Sequence, residues 1–213
     1  RSALLCEGSW TAVPWRRPLP VPAAGRERGA AGAEGALRLA RPRVKQARSG
    51  RGNVPVVTAD NAFAAAVVGG RVLVWGDNRK GQLGLGSDAS LRITTPCAIG
   101  GFPLEGRDGG VLSMSAGAFH LLLVTTAGVV WACGSNRYKK LGLGDRQPAS
   151  VPTLQPLMDA TLRSVRVSAV SAGNGHSMLL AVSGAVYTFG RGVNGALGLG
   201  DKLDRSTATL VEA

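Results

Sequence analysis

Two histidines, three cysteines and three glycine-rich loops are the residues of this chain whose types could do chemistry. His120 and His176 end two near-copies of one string, Ser115-Ala116-Gly117-Ala118-Phe119-His120 and Ser171-Ala172-Gly173-Asn174-Gly175-His176. A histidine can move a proton. A catalytic base is seldom duplicated at one repeat position, however, whereas a framework residue usually is. The pair therefore reads as buried histidines, each hydrogen-bonded to a neighbouring unit. Ser177 follows His176, but no Asp stands where a triad needs one, and Leu121 replaces the serine in the other copy. Cys6, Cys97 and Cys133 lack the spacing of a zinc site or a disulfide framework. These residue types predict no catalytic set, no metal and no cofactor.

The glycine loops repeat as well. Gly81-Gln82-Leu83-Gly84-Leu85-Gly86, Leu141-Gly142-Leu143-Gly144 and Leu197-Gly198-Leu199-Gly200 end in glycines 58 and 56 residues apart. The first has the look of a phosphate loop, but no Gly-Lys-Ser/Thr follows and no helix is predicted after it. Three copies favour tight turns, where glycine supplies positive φ and close backbone approach. Gly86, Gly144 and Gly200 are then structural, as are Trp75, Trp131 and Phe189 at the ends of the preceding apolar runs. The leucines of the loops are expected to plug between units.

The elements that must position these residues follow from the same period. Each unit has two apolar runs around a glycine-bearing turn, Leu121–Val124 with Val129–Trp131 and Met178–Val182 with Val186–Phe189, which read as a hairpin. Val67 to Val72 makes the equivalent hairpin in the first copy. Counting back 14 residues from Gly76 puts Ala62 where the later copies carry His. A further strand precedes each Ser-Ala-Gly (Val111–Ser113, Val165–Ala169), and another follows each loop (Thr95–Ile99, Val151–Leu154, Ala208–Val211). Four strands per unit at a fixed period of this size predict a propeller blade. The fold class is all-β: a partial β-propeller of about three four-stranded blades, residues about 54–99, 100–154 and 155–213. Three blades do not close a ring. Either the chain is part of a longer protein, or its open faces pack on a partner, or it is a partial propeller kept as a structural piece of a larger assembly.

Residues 1–53 form the other part, an extended basic Gly/Pro-rich arm. They hold 11 Lys/Arg and 3 Asp/Glu, most of a net charge of +12. Such a composition does not bury enough apolar surface to order alone. Trp10 and Trp15 are its candidate anchors on a partner. The arm is Arg-rich and acid-poor like a transit peptide, but three serines and interrupting prolines weaken that reading, and no compartment is assigned. No apolar run reaches the ~18 residues of a transmembrane helix.

The units resemble the regulator of chromosome condensation repeat family, seven-bladed propellers whose blades read roughly Ala-Gly-x-x-His-Ser, an apolar strand, Val-Tyr-x-Trp-Gly-x-Asn and Gly-Gln-Leu-Gly-x-Gly. The likeness covers about residues 54–213. The repeat count, the open blade faces, the basic arm and the lack of a catalytic set point to a first function, and the likeness implies others. The first is a non-catalytic interaction or scaffold module, a subunit docked on other proteins, with nucleic acid or an acidic protein surface as a possible partner of the arm. The second is guanine-nucleotide exchange or regulation on a small Ran-type GTPase; the shared motifs are structural and carry no exchange residue over. A regulatory segment of a longer ligase or kinase is a third form of the same resemblance. Equivalent loops of successive blades share one rim. Arg79, Lys80, Arg137, Tyr138, Lys139, Lys140 and Arg191 are therefore the candidate partner-binding residues, a basic arc suited to phosphates or acidic protein.

Overall fold

The computed structural model describes residues 56–60, 62–100 and 110–212, all within one compact unit, Asn53–Ala213. The basic arm with Trp10 and Trp15 lies outside the described residues. The period predicts four strands per unit, and three four-stranded antiparallel sheets are present. The first holds β1 (Val57–Ala59), β2 (Phe63–Val68), β3 (Arg71–Asp77) and β4 (Arg92–Ala98). The second holds β5 (Val111–Gly117), β6 (His120–Thr125), β7 (Val130–Ser135) and β8 (Ser150–Pro156). The third holds β9 (Val167–Ala172), β10 (His176–Ala181), β11 (Val186–Gly190) and β12 (Arg205–Leu210). Strands neighbour one another in chain order within each sheet. The helical residues described are three single turns of 3-10 helix, Arg137–Lys139, Ala160–Leu162 and Val193–Gly195.

The side-chain period of a strand explains how the sheets stack. All six residues of β6 are buried. Leu121 and Leu123 enter a core with Phe63, Val72, Val74 and Leu83 of the first sheet. Leu122 and Val124, on the opposite face, enter a second core with Leu179, Ala181 and Phe189 of the third. Successive side chains point to opposite faces, so one strand feeds both seams.

Each second-to-third strand hairpin ends at a glycine that side chains cannot replace. Gly76, Gly134 and Gly190 have φ of +109°, +105° and +102°. A Cβ there would lie 2.4–2.5 Å from the carbonyl oxygens of Ala62, Phe119 and Gly175. The register with the fourth strand shifts just before each of them, a bulge repeated three times.

These registers correct three sequence assignments. Phe63, not Ala62, pairs with the first glycine, as His120 and His176 pair with theirs. The first hairpin turns in two residues, Gly69-Gly70, both at positive φ, whereas the second needs Thr126-Ala127-Gly128. The count from the glycine is thereby one residue shorter. Cys133, not Trp131, occupies the position of Trp75 and Phe189. Ser115-Ala116-Gly117 lies inside β5, and Ser171-Ala172 inside β9, rather than after a strand.

Candidate functional site

The inner strands are joined across sheets by hydroxyls at one repeat position. Thr58 Oγ1 accepts the Ala116 N–H at 2.8 Å, and Ser115 Oγ accepts the Ala172 N–H at 3.0 Å. Ser113 adds a longer bond to the Val170 N–H at 3.4 Å. The loops join the outer strands in the same way. Gly86 N–H donates to Pro152 O at 2.9 Å, and Gly144 N–H to Ser206 O at 3.0 Å. Gly86 and Gly144 thus act between sheets as well as turning the chain. The sequence reading missed the hydroxyls; their signal was a Ser or Thr five residues before each Phe63 or His position.

His120 lies fully buried at the seam between the second and third sheets. Its Nε2 is 3.0 Å from Ser177 Oγ, and Ser177 Oγ donates to Lys140 O at 2.7 Å. A hydroxyl has one proton, and that one is used on the carbonyl. His120 is therefore the Nε2–H tautomer and donates to Ser177. Its buried Nδ1 has no hydrogen-bond partner of good geometry among the described residues, although the Ala118 backbone lies close enough to oppose the fall of its pKa. Burial first, then the nearby Lys140 ammonium, pushes the His120 pKa down to about 3, so the ring is neutral at physiological pH. At the first seam Phe63 and Leu121 occupy the equivalent positions and share one apolar core. His176 stands on β10 in the third sheet and is half-buried.

Lys140 is not a rim residue. It is 4 % exposed, and its Nζ donates to the carbonyls of Ala118 and Asn174, tying the turns before β6 and β10 together. Burial pushes its pKa down to about 8, with Asp60 opposing and Arg137 adding to the shift. Gln82 fills the same position in the first loop, is also buried, and bonds Asp77 Oδ2 at 3.1 Å.

The rest of the arc divides into paired and unpaired charges. Arg79 bonds Asp77 Oδ1 at 2.8 Å. Burial raises the Asp77 carboxyl, but bonds from Arg79 and Gln82 outweigh it and hold the pKa below the usual value. Lys139 donates to Asp145 O at 2.8 Å, with the Asp145 carboxylate 3.9 Å away. Lys80 is exposed, and its backbone accepts from Ser150. Arg137 and Arg191 both lie over the Tyr138 ring, at 4.9 and 4.6 Å from its centroid. The structure thus brings Arg137, Tyr138 and Arg191 together across the second seam, and leaves Arg79 and Lys80 at the first.

The aromatic positions differ in burial. Phe189 is fully buried and packs beneath Gly142 of the preceding loop; Cys133 lies likewise beneath Gly84. Trp75, expected in the core, is half-buried and lines an open groove with Ala62, Asp77, Arg92 and Ile93. No loop of a preceding sheet packs on it among the described residues. Trp131 is half-buried against the first core. Gly200, the third loop glycine, has φ +77° and open space around its Cβ direction.

The cavities lined by described residues gather no catalytic set. A cavity of about 450 Å³ between the second and third sheets is lined by Gly142, Gln147, Gln155, Asp159 and Thr207, among others. Asp159 spends its oxygens on the N–H groups of Thr161 and Ala208. Burial pushes the Cys133 thiol up to about 12, so it holds its proton. Among the described residues no cluster of His, Cys, Asp and Glu could hold a metal, and no helix is long and apolar enough to cross a membrane.

Comparison with known proteins agrees with this architecture. The family model of the regulator of chromosome condensation (RCC1) repeat matches residues 69–124 and 127–180. The probable E3 ubiquitin-protein ligase HERC4 of Homo sapiens is 33% identical over 129 residues, 60% of this chain and 11% of that protein. The ultraviolet-B receptor UVR8 of Arabidopsis thaliana is 34% identical over 158 residues, 74% of this chain and 34% of that protein. The chain thus spans between about a tenth and a third of these relatives. Among solved structures, yeast RCC1 (Prp20) bound to Kap60 superposes with a TM-score of 0.64 at 22% identity, over 74% of this chain and 36% of that one. Human WBSCR16 superposes with 0.62 at 24% identity, over 73% and 39%. The repeated strands, bulged glycines and seam contacts are those of consecutive propeller blades, and the chain belongs to the regulator of chromosome condensation (RCC1) repeat family.

Proposed function

We propose that this chain is a non-catalytic interaction module that docks on a larger assembly through the open faces of its blade stack. One observation carries the reading. Met178, Leu180 and Val182 alternate along one face of the third blade, at 39, 42 and 67% exposure. The equivalent Leu122 and Val124 of the second blade are fully buried beneath the third. An apolar face built like a buried seam favours a cover. Trp75 at the other end of the stack, half-buried in its groove, supports the same reading, since Trp is enriched where binding energy concentrates. The cover is either other subunits or further blades of one longer polypeptide. Nucleotide exchange on a Ran-type GTPase rests on the family likeness alone, because the shared blade motifs are structural and carry no exchange residue over.

The test is gentle isolation from the native source, with and without nuclease, followed by mass measurement and identification of what co-purifies. A defined large particle supports docking, and nuclease sensitivity brings nucleic acid into it. A monomer with no partner refutes the proposal. A Met178→Glu/Leu180→Lys variant should keep its stability to within ~0.5 kcal/mol, since both side chains are surface-exposed, and should lose the particle. Accelerated nucleotide release from a Ran-type GTPase would move exchange to the front.

A further inference from the structure

The rim cations are not equivalent. Each blade has one charge pair that neutralises itself: Arg79 with Asp77, Lys139 with Asp145, and Arg205 with Asp201 at 2.6 Å. Arg137 and Arg191 have no carboxylate within 4.0 Å among the described residues, and neither does Lys140, buried between the turns beside them. Two guanidiniums from two blades thus meet over the Tyr138 ring without an ion-pair partner among the described residues.

The cluster is pre-organised. Both guanidiniums are held over the Tyr138 ring, an arrangement that restricts their rotamers while leaving the N–H edges free to donate. Gly175 makes room for it: a Cβ there would sit 3.2 Å from Arg191 Cβ and 3.5 Å from Tyr138 Cδ2. Tyr138 and Lys139 hold φ of +63° and +61°, a conformation that costs non-glycine residues roughly 1–2 kcal/mol each. The strained backbone is thus the segment that presents the ring.

We infer that the Arg137–Tyr138–Arg191 stack is a receptor for one acidic side chain, Asp or Glu, presented by a segment of a partner protein. A planar guanidinium fits a carboxylate with two parallel N–H bonds. The site is one anchor wide. A nucleic acid backbone needs a track of free cations to neutralise successive phosphates; of the flanking cations here Arg79, Lys139 and Arg205 are already paired to Asp77, Asp145 and Asp201, and Lys80 stands apart at the first seam. A Tyr/Arg anchor surrounded by neutralised polar residues has the form of a protein–protein hot spot. The inference rests on the interaction-module reading and adds the chemistry of the partner.

The probe is a labelled deca-glutamate peptide, titrated into the full chain at physiological salt and read by fluorescence anisotropy. Double-stranded DNA of ten base pairs and inorganic phosphate serve as the other arms. Arg137→Ala/Arg191→Ala should weaken peptide binding about tenfold or more, and Arg137→Lys by less, because it keeps charge but loses the planar fork. Tyr138→Leu should weaken it with all cations retained. Arg71→Ala/Arg166→Ala removes the same charge and should leave affinity unchanged. Peptide affinity that follows net charge alone, falling equally in the two double variants, overturns the inference. So does DNA binding that is tighter than peptide binding and depends on the stack. Met178→Glu/Leu180→Lys should still bind the peptide, so failure of the docking faces and failure of the stack read out separately.

Discussion

Replacing Ser177 by Ala removes a single oxygen that serves two buried groups. The hydroxyl accepts from His120 Nε2 at 3.0 Å and donates to Lys140 O at 2.7 Å, with His120 and Ser177 both fully buried. Leaving a buried donor or acceptor unsatisfied costs about 1–3 kcal/mol each, so Ser177→Ala, which strands one of each, should lose roughly 2–6 kcal/mol. For a unit of this size each kcal/mol shifts Tm by about 2–4 °C. The first seam supplies the rescue, since Phe63 and Leu121 hold the equivalent positions without any polar group. His120→Phe/Ser177→Ala should therefore be more stable than Ser177→Ala alone by about 1 kcal/mol, because only the Lys140 carbonyl stays unpaired. Urea unfolding of the wild type, both single variants and the double variant gives the coupling. A double variant that loses the sum of the two single losses refutes the reasoning. The same series tests the charge state. The His120 pKa is about 3 when folded against an ordinary 6.5, so the unfolded chain binds more protons between these values. The contribution is full above pH 6.5 and falls by about 1.4 kcal/mol per pH unit as pH drops toward 3. His120→Phe should flatten the acid side of the stability profile over that window.

Two further predictions concern the seams. Gly142→Ala should cost roughly 2–4 kcal/mol, because a Cβ there meets the Phe189 ring at 2.8 Å and φ is +66°. Gly144→Ala, at φ +85° with open space around it, should cost only about 1 kcal/mol; equal losses in urea unfolding would sink the packing argument. Ser115→Ala should lose about 1–2 kcal/mol by stripping the Ala172 N–H of its acceptor, whereas Ser115→Thr should recover most of it, as judged by thermal melting.

The blades were legible because their signals are local. A hairpin, a bulged glycine and a tight loop each leave short strings, and a period repeats them. Whatever depended on another blade was not legible. Lys140 reads as one more surface cation in Arg137-Tyr138-Lys139-Lys140, and only the fold brings the Ala118 and Asn174 carbonyls to its ammonium. Trp75 and Phe189 occupy the same repeat position, yet one lines a groove and the other is sealed, because Gly142 covers only the second. The one-residue error at Phe63 came from counting along the chain across turns of unequal length. A cross-blade signal did exist: Leu121 follows where Phe63 precedes, and Ser177 follows where His120 precedes.

That exchange of partners bears on how near-identical blades find their order. The three blades carry a hydroxyl at one inner position, Thr58, Ser115 and Ser171, and a glycine N–H at one loop position, Gly86, Gly144 and Gly200, so these repeated groups alone do not distinguish one neighbour from another. The side chains at the seams do. If the third blade stacked on the first, Ser177 would meet Phe63 and its bond from His120 would be missing. If the second blade met a copy of itself, His120 would be buried against Leu121 with neither ring nitrogen paired, at a cost of about 1–3 kcal/mol or more. Apolar faces apolar at one seam and donor faces acceptor at the other, so each wrong order carries an unpaired polar group. The same logic sets a requirement on whatever covers the third blade. His176 stands on its open face beside Met178 and Leu180, at the position His120 occupies one blade earlier. A cover that offers only apolar atoms there repeats the mismatch, whereas one that offers a hydroxyl or carbonyl completes the seam.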